Sequence, residues 1–301
     1  MGVSLFVNPH SERVGKRGSR LSGHAVDHDA RVFDLALRDA LPSQVEAART
    51  DSDLFIIEGG DGTVQCMMSE VLRQAGPDAP LPDFAIASGG MTNQVAKIIG
   101  MRSVGRSGLR RVIEEPDVLE TRMLKVSADG MDDQYGFLFS TGALPMVTDY
   151  AKSELHARGI GGQAAVVGGL VKAVTSDPDT VMPPTDCVLD IAGERLTGPH
   201  LGTVATTLPT ITMGLDPFWG DGDGPLRLTY VDGNHKGLYK HIAGVWVGFK
   251  DRDRTGDGFH SYNSEQAVFD YSGPVMLDGE PITLPGPRFT LSTSRPVKIR
   301  R

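Results

Sequence analysis

Two glycine-rich segments, each lying between an apolar run and a stretch of helical periodicity, constrain the fold of this chain most strongly. The first follows the apolar run 54–57 and consists of Gly59, Gly60, Asp61, Gly62 and Thr63. Apolar residues then recur at the spacing of one helix face, at Val64, Met67, Met68 and Val71. The second follows the run 84–87 and contains Gly89, Gly90, Met91, Thr92 and Asn93. Alternating strand, short loop and helix predict a parallel sheet covered by helices.

Ligands bind such sheets beyond the carboxyl ends of the strands, where three loops are expected to converge. These loops are 59–63, 88–93 and the one that opens with Asn8 after the apolar run 3–7. Glycines let backbone N–H groups approach phosphate oxygens, and a helix N-terminus favours a bound anion. Asp61 would then face phosphate through a metal ion or metal-bound water. The alternative is a tight turn in which Asp61 or Thr63 caps the helix.

The flanking segments give more local predictions. Residues 10–30 are polar and basic, which predicts a mobile loop or a weak helix. Residues 30–41 have apolar side chains at helical spacing and predict a helix that stops at Pro42. The dipeptide 76–77, Gly-Pro, predicts the end of the helix that follows the first glycine segment, and Gly100 predicts a C-cap.

From Lys125 onward the pattern changes to short β-rich runs separated by turn residues. The runs are 135–139, 187–191, 226–231 and 267–271, and the last three alternate apolar and polar residues. A second, mostly β domain over residues 125–285 is therefore predicted. Residues 160–174 form the good helix candidate of this half, and they would either line a groove with Lys172 or belong to the domain core.

Composition excludes several classes of protein. The chain has 30 basic and 38 acidic residues and a formal charge of -8, which argues against sequence-independent binding of nucleic acid. Two cysteines, Cys66 and Cys187, match neither a disulfide scaffold nor a zinc cluster and suit a reducing compartment. We expect a cytoplasmic protein, because no signal-peptide pattern and no run of about 18 apolar residues is present. Association of the protein with a membrane surface is left open.

Two acidic segments have both a structural and a functional interpretation. Asp278, Gly279 and Glu280 lie between apolar runs and suit a type I′ hairpin turn, or else supply a general base. Residues 216–224 are rich in aspartate and glycine and suit either a plain loop or a divalent metal site.

Taken in order, these segments resemble the diacylglycerol kinase catalytic family, which includes sphingosine and ceramide kinases and bacterial lipid kinases. The resemblance rests on residues 5–9, 59–63, 89–97 and 278–280, and it spans nearly the whole chain. Residues 223–226 also resemble the Asp-Gly segment of that family. Glu12, Met91 and Gln94 depart from the family pattern.

The resemblance implies a fold of the α/β plus β class. Residues 1–124 would form a phosphofructokinase-like nucleotide-binding domain, joined by C-terminal strands in 286–301, and residues 125–285 a β-sandwich-type domain. ATP would contact both glycine segments together with Asn8, Pro9, His10 and Ser11. Glu280 would be the general base with Asp278 beside it, and Asp61 would orient metal-bound water. A structural Mg²⁺ would be held by Asp223 and by the backbone carbonyls of Gly220 and Pro225.

The function implied is an ATP-dependent lipid kinase. It would transfer the γ-phosphoryl group to a hydroxyl of a diacylglycerol-like or ceramide/sphingoid lipid, presented at the inner face of a membrane and serving phospholipid biosynthesis. A homodimer is left open. A non-catalytic lipid- or nucleotide-binding regulatory protein is one alternative, motivated by Glu12 and Met91. NAD kinase is another, because it shares the 59–63 signature, although residues 278–280 argue against it.

Overall fold

A computed structural model describes residues 1–91, 93–145, 184–211, 214–247 and 254–301. Thr92 and the predicted helix 160–174 with Lys172 lie outside the described residues. The chain forms two compact units. Unit 1 consists of Met1–Arg122 and Arg295–Arg301, and unit 2 of Met123–Ser294.

Unit 1 is built on a six-stranded sheet with helices in its connections. In chain order its strands are β1 Val3–Val7, β2 Arg31–Asp34, β3 Leu54–Gly59, β4 Asp83–Ser88, β5 Val118–Thr121 and β17 Val297–Arg300. The sheet order is β2-β1-β3-β4-β17-β5, with the first four strands mutually parallel. Every residue of β1 and β3 is buried, as their continuous apolar runs predict.

Six helices connect these strands. They are α1 Glu12–Arg17, α2 Ser22–Ala25, α3 Leu41–Asp51, α4 Asp61–Ala75, α5 Gln94–Ile99 and α6 Arg106–Glu114. The segment 10–30 thus contains two short helices and a 3₁₀ turn, Val26–His28. Helix α4 ends before Gly76, and Gly100 caps α5, which confirms both predicted helix ends.

The predicted helix over residues 30–41 is wrong. Residues Arg31–Asp34 form the edge strand β2, which is mostly exposed and pairs in parallel with β1. Helix α3 begins at Leu41, so Pro42 lies in its first turn. A proline is tolerated there because the first N–H groups of a helix have no intrahelical acceptor. Pro42 therefore marks the start of a helix, where the sequence reading placed an end.

Unit 2 is an antiparallel sheet of eleven strands with one described helix, α7 Leu238–Val247. The strands are β6 Leu124–Ser127, β7 Gln134–Gly136, β8 Leu138–Gly142, β9 Thr185–Ile191, β10 Glu194–Thr206, β11 Leu226–Asp232, β12 Phe259–Ser264, β13 Gln266–Tyr271, β14 Val275–Leu277, β15 Glu280–Pro281 and β16 Arg288–Thr293. The predicted fold class, an α/β unit followed by a β unit, is confirmed. No helix in the described part of the chain combines the length and hydropathy that crossing a membrane requires.

The long strand β10 organises unit 2 by changing partners. Residues 194–200 pair with β9, whereas residues 202–206 pair with β8 on one side and β11 on the other, with a bulge between His200 and Gly202. The strands enclose one core that includes Phe139, Phe269 and Phe289, and the last two rings stack with centroids 4.9 Å apart. Aromatic pairs of this kind add to the stabilisation from buried area.

Two strand predictions in this half are corrected. Only β17 of the C-terminal strands joins unit 1, because β16 pairs with β13 and β6 in unit 2. The predicted strand 135–139 is divided at Phe137 into β7 and β8, which pair with different partners.

Candidate active site

The two glycine segments of unit 1 pack backbone against backbone. The Gly89 N–H donates to the Gly59 carbonyl oxygen at 2.8 Å. A Cβ placed on Gly89 would lie 2.9 Å from Gly59 Cα, and one on Gly90 would lie 2.6 Å from Gly60 Cα. These separations are too short for any side chain. The glycines are therefore required by the contact between the loops that follow β3 and β4.

The loop after β1 joins the same group. The Asn8 side-chain amide donates to Thr63 Oγ1 at 2.8 Å, and the Gly60 N–H donates to Ser11 Oγ at 3.2 Å. Asn8 Oδ1 accepts the His10 N–H at 2.9 Å, which turns the chain after Pro9. The three loops that the sequence placed at strand ends are thus brought together in the structure.

Asp61 links the first residues of two helices. Its carboxylate oxygens accept the N–H groups of Gln94 and Val95, each at 3.0 Å. These are the first two residues of α5, so the aspartate satisfies N–H groups that have no intrahelical partner. Asp61 therefore caps the neighbouring helix, while Gly60 occupies the N-cap position of its own. A further role of Asp61 toward metal-bound water stays a prediction.

Asn93 fixes the shape of the second glycine loop. Its φ is 49°, in the left-handed region that asparagine adopts more readily than most residues. The side chain accepts the Gly90 N–H at 2.7 Å and donates to the Gly90 carbonyl oxygen at 2.5 Å. Met91 lies at the tip of this loop with 53% of its surface exposed. The closed loop is thus held by Asn93, and Met91 is left available for contact.

Arg13 is a candidate site residue that was absent from the predicted set. Its N–H donates to the Gly89 carbonyl oxygen at 2.9 Å, and its guanidinium donates to Ser88 Oγ at 3.3 Å. The segments 8–12, 59–63 and 88–93 contain no lysine or arginine, so Arg13 adds a positive charge to them. Glu12, which departs from the family pattern, has its negative charge offset by Lys16, whose Nζ lies 2.6 Å from the Glu12 carboxylate.

Glu58 is a second residue that the sequence reading passed over. It is 1% exposed and ends the apolar part of β3. Its carboxylate accepts the Ser19 hydroxyl at 2.5 Å and the Arg20 N–H at 2.8 Å. The sequence signal for Glu58 is a carboxylate near the end of a strand in which every residue is buried. Glu58 holds the segment around residue 19 against the strand end that carries the site.

We expect Gly90→Ala to lower the free energy of unfolding by about 1–3 kcal/mol, the usual cost of forcing extra atoms into a packed region. The new Cβ would meet the Gly60 backbone, which has no flexible end to move aside. Gly62→Ala is the matched control, since a Cβ there has no heavy atom within 4 Å and alanine favours a helix. Urea unfolding without ligand measures both. Equal stability of the Gly90 variant and the native protein would contradict the packing argument.

In unit 2 the segment 278–280 forms the tight turn that one interpretation predicted. Asp278 and Gly279 have φ values of 53° and 82°, and the turn joins β14 to β15. Positive φ at both central residues is the requirement of a type I′ turn. Glu280, the first residue of β15, is exposed. The hairpin thus presents the carboxylate of Glu280 at the surface of unit 2.

Asp278 itself is engaged with the backbone of β8. Its carboxylate accepts the Phe137 N–H at 2.9 Å and the Leu138 N–H at 2.8 Å, and its own N–H donates to the Leu138 carbonyl oxygen at 2.7 Å. These bonds explain why β7 and β8 separate at Phe137. Asp278 fixes the hairpin, and its predicted catalytic role stays a prediction.

The predicted metal ligands Gly220, Asp223 and Pro225 lie in a loop that runs along β12. Asn263 donates its side-chain amide to the Gly220 carbonyl oxygen at 2.6 Å, while its Oδ1 is buried without a described partner. Asp223 is exposed. Over the described ranges, no group of three His, Cys, Asp or Glu side chains could hold a metal ion. Metal binding at this loop would therefore depend on backbone carbonyls and one carboxylate, which are oxygen ligands of the kind Mg²⁺ takes.

The fold of this chain is similar to that of solved kinase structures. A solved structure of a diacylglycerol kinase from Bacillus anthracis str. Sterne has a TM-score of 0.66 and 14% identity, covering 99% of this chain and 96% of that one. An NAD kinase from Archaeoglobus fulgidus in complex with ATP has a TM-score of 0.51 and 12% identity, covering 99% and 93%. At these identities the likeness shows the fold alone. That fold is an α/β unit with a second, antiparallel β unit, as in these kinases.

Sequence comparison is more specific. The family of the diacylglycerol kinase catalytic domain matches residues 3–125, which contain all three loops of unit 1. A protein of Streptococcus pneumoniae serotype 4, named "Putative lipid kinase", is 25% identical over 214 residues. That match covers 69% of this chain but just under two thirds of the relative's own length, 66%. The predicted resemblance to the diacylglycerol kinase catalytic family is confirmed over these residues.

Proposed function

We propose that this protein is an ATP-dependent lipid kinase acting on a lipid hydroxyl presented at the cytoplasmic face of a membrane. The observation that carries the proposal is the overlap of two findings in unit 1. The diacylglycerol kinase catalytic domain matches residues 3–125, and the same stretch contains the glycine loops held together by Asn8, Ser11 and Asn93. The proposal concerns the whole protein, whereas this match concerns unit 1.

ATP as substrate fits the loops of unit 1. The two glycine loops pack backbone against backbone at Gly89 and Gly90, whereas a Cβ on Gly62 would meet no heavy atom within 4 Å. The 15-residue helix α4 begins there, and a helix N-terminus favours phosphate. Arg13 would add a positive charge to screen the transferred phosphoryl group. The residues proposed to hold ATP are Asn8, Pro9, His10, Ser11, Gly59, Gly60, Asp61, Gly62, Thr63, Gly89, Gly90, Met91, Thr92 and Asn93.

The backbone and carboxylate oxygens at residues 220–225 are the type of ligand that Mg²⁺ binds. Asn263 Oδ1, which is buried without a described partner, lies on the strand beside them. We assign Gly220, Asp223 and Pro225 to this ion. When bound it would neutralise the Asp223 charge and tie the loop to β12.

At phosphorus the reaction forms one bond and breaks one. The acceptor hydroxyl oxygen bonds to the γ-phosphorus, and the bond from that phosphorus to the bridging oxygen of ATP breaks, so that ADP leaves. Glu280 accepts the hydroxyl proton as general base. Asp278 is a positioning residue, because its bonds to the N–H groups of Phe137 and Leu138 hold the turn that carries Glu280. The resulting lipid phosphate is the product.

The test is transfer of phosphate from γ-labelled ATP, with Mg²⁺, into micellar diacylglycerol, ceramide, sphingosine and monoacylglycerol. One labelled lipid is expected, and it would name the acceptor class. NAD belongs in the same panel, because the fold is shared with an NAD kinase. Labelled NADP would replace the lipid proposal with that activity. No labelled product in any arm, together with no ATP-induced thermal shift in the presence of Mg²⁺, would favour the regulatory alternative. A thermal shift without product would point to an acceptor outside the panel.

A further inference from the structure

Glu58 is a buried acidic residue of unit 1 that the proposed reaction does not use. The four residues before it in β3, residues 54–57, are apolar and fully buried, and Glu58 itself is 1% exposed. Burying a polar side chain costs free energy unless hydrogen bonds replace its contacts with water. An apolar residue would fill the same place in the sheet without that cost. The position therefore indicates a task beyond packing.

Both ends of one stretch of the chain, residues 8–19, bond to Glu58. Its backbone carbonyl oxygen accepts the Asn8 N–H at 3.1 Å, where the chain leaves β1. Its carboxylate accepts the Ser19 hydroxyl at 2.5 Å and the Arg20 N–H at 2.8 Å, just before α2. The chain thus leaves β1 beside Glu58 and returns to the same residue twelve positions later, with α1 in between.

Segment 8–19 contains three of the groups that we assign to the nucleotide site. Asn8 and Ser11 hydrogen-bond to the first glycine loop, and the Arg13 N–H donates to the Gly89 carbonyl oxygen of the second at 2.9 Å. The positions of these groups depend on the path of the segment between its two ends. Because Glu58 bonds to both ends, it limits the paths that the segment can take.

The contact at Ser19 requires a carboxylate at position 58. Ser19 Oγ accepts the Ser22 N–H at 2.9 Å and the Ser22 hydroxyl at 2.7 Å, so the single hydroxyl proton of Ser19 is donated to Glu58. The Arg20 N–H is also a donor, so both oxygens of Glu58 must accept. A glutamine amide has one acceptor oxygen and one donor nitrogen, and in either orientation it satisfies only one of these two contacts.

We propose that Glu58 is a positioning residue that holds residues 8–19 in the arrangement that binds ATP and thereby determines the affinity for the nucleotide. This inference rests on the proposed function, since ATP is the ligand considered. The apparent affinity of a site falls with the fraction of molecules that have the binding arrangement. Loosening the segment therefore weakens ATP binding and leaves proton transfer at Glu280 unaffected.

Glu58→Gln tests the proposal through nucleotide binding, measured by calorimetric titration of the full chain with the β,γ-imido analogue of ATP and Mg²⁺, without lipid. We expect the dissociation constant to rise about tenfold, because the variant populates the binding arrangement less. Glu70→Gln is the matched control and should keep the native affinity. Glu70 is also buried, on α4, and its described hydrogen-bond partners are Arg73 and Gln74 of the same helix.

The kinase assay adds a readout that a loss of folded protein would not give. Glu58→Gln should raise the KM for ATP and leave kcat at saturating ATP unchanged, whereas partial unfolding would lower kcat. Ser19→Ala removes the same hydrogen bond from the other side, so the test survives if the Glu58 variant fails to fold. Because both variants break one bond, combining them should weaken binding no further than the stronger of the two.

Hydrogen exchange of the ligand-free protein separates the ways in which the proposal could fail. In Glu58→Gln the backbone amides of residues 11–22 should exchange faster than in the native protein. Native exchange rates there would overturn the positioning role. Faster exchange with native affinity for the ATP analogue would overturn its link to nucleotide binding. A native protein that binds no analogue would overturn the proposed function together with this role, and that result is seen before any variant is compared.

Discussion

Glu280→Gln is expected to lower the rate of phosphoryl transfer by about 10²–10⁴-fold, the usual contribution of a general base. Glutamine keeps the size of the side chain and removes its ability to accept a proton. Because Glu280 is exposed on a short hairpin strand, we expect the variant to unfold at the same urea concentration as the native protein. The measurement is kcat at saturating ATP and lipid, together with an unfolding curve.

Glu265→Gln is the matched control, because Glu265 is also exposed and lies between β12 and β13. It should keep the native rate. The pH dependence adds a readout that a structural effect would not move, since loss of the base should remove the acid limb of the kcat profile. A Glu280 variant that turned over at the native rate would exclude this residue as the base.

The second large effect is expected on stability. Asp278→Ala should lower the free energy of unfolding by about 2–4 kcal/mol, since a buried N–H left without an acceptor costs about 1–3 kcal/mol. The variant removes the acceptor of the Phe137 and Leu138 N–H groups and places alanine at a φ of 53°. Left-handed backbone adds about 1–2 kcal/mol for alanine. Urea unfolding of the full chain measures the loss.

Asp278→Asn separates the two causes. Asparagine tolerates the left-handed conformation and keeps one carbonyl oxygen as an acceptor, so its loss should be about 1 kcal/mol. Unchanged stability of the alanine variant would show that the hydrogen bonds to Phe137 and Leu138 contribute nothing.

The parts of the fold that the sequence predicts are those determined by neighbouring residues. Runs of apolar residues identify β1, β3 and β4 because these strands are buried on both faces. The turn at Asp278 is local in the same sense. The edge strand β2 is not identified by its sequence pattern. Val32 is 48% exposed, and the spacing of the apolar residues around it resembles one face of a helix. Its identity depends on pairing with β1 across the sheet.

The site shows the same division. The glycines and Asn8 could be recognised from their positions after predicted strands. The contact of Asp61 with Gln94 and Val95 joins residues more than thirty positions apart, so only the folded backbone identifies the cap. Arg13 was visible as one of several basic residues, but its place beside Ser88 depends on the docking of α1 against β4.

The last strand of the chain has a consequence for biosynthesis. β17 lies between β4 and β5 in the sheet of unit 1, pairing in parallel with one and antiparallel with the other. Ribosomes add about 5–20 residues per second, and N-terminal domains generally fold first. Here β5 has no neighbour in its sheet until residues 297–300 have been made. Unit 1 therefore begins to be translated before unit 2 but is completed after it, because the edges of β4 and β5 stay open until residues 297–300 have been made.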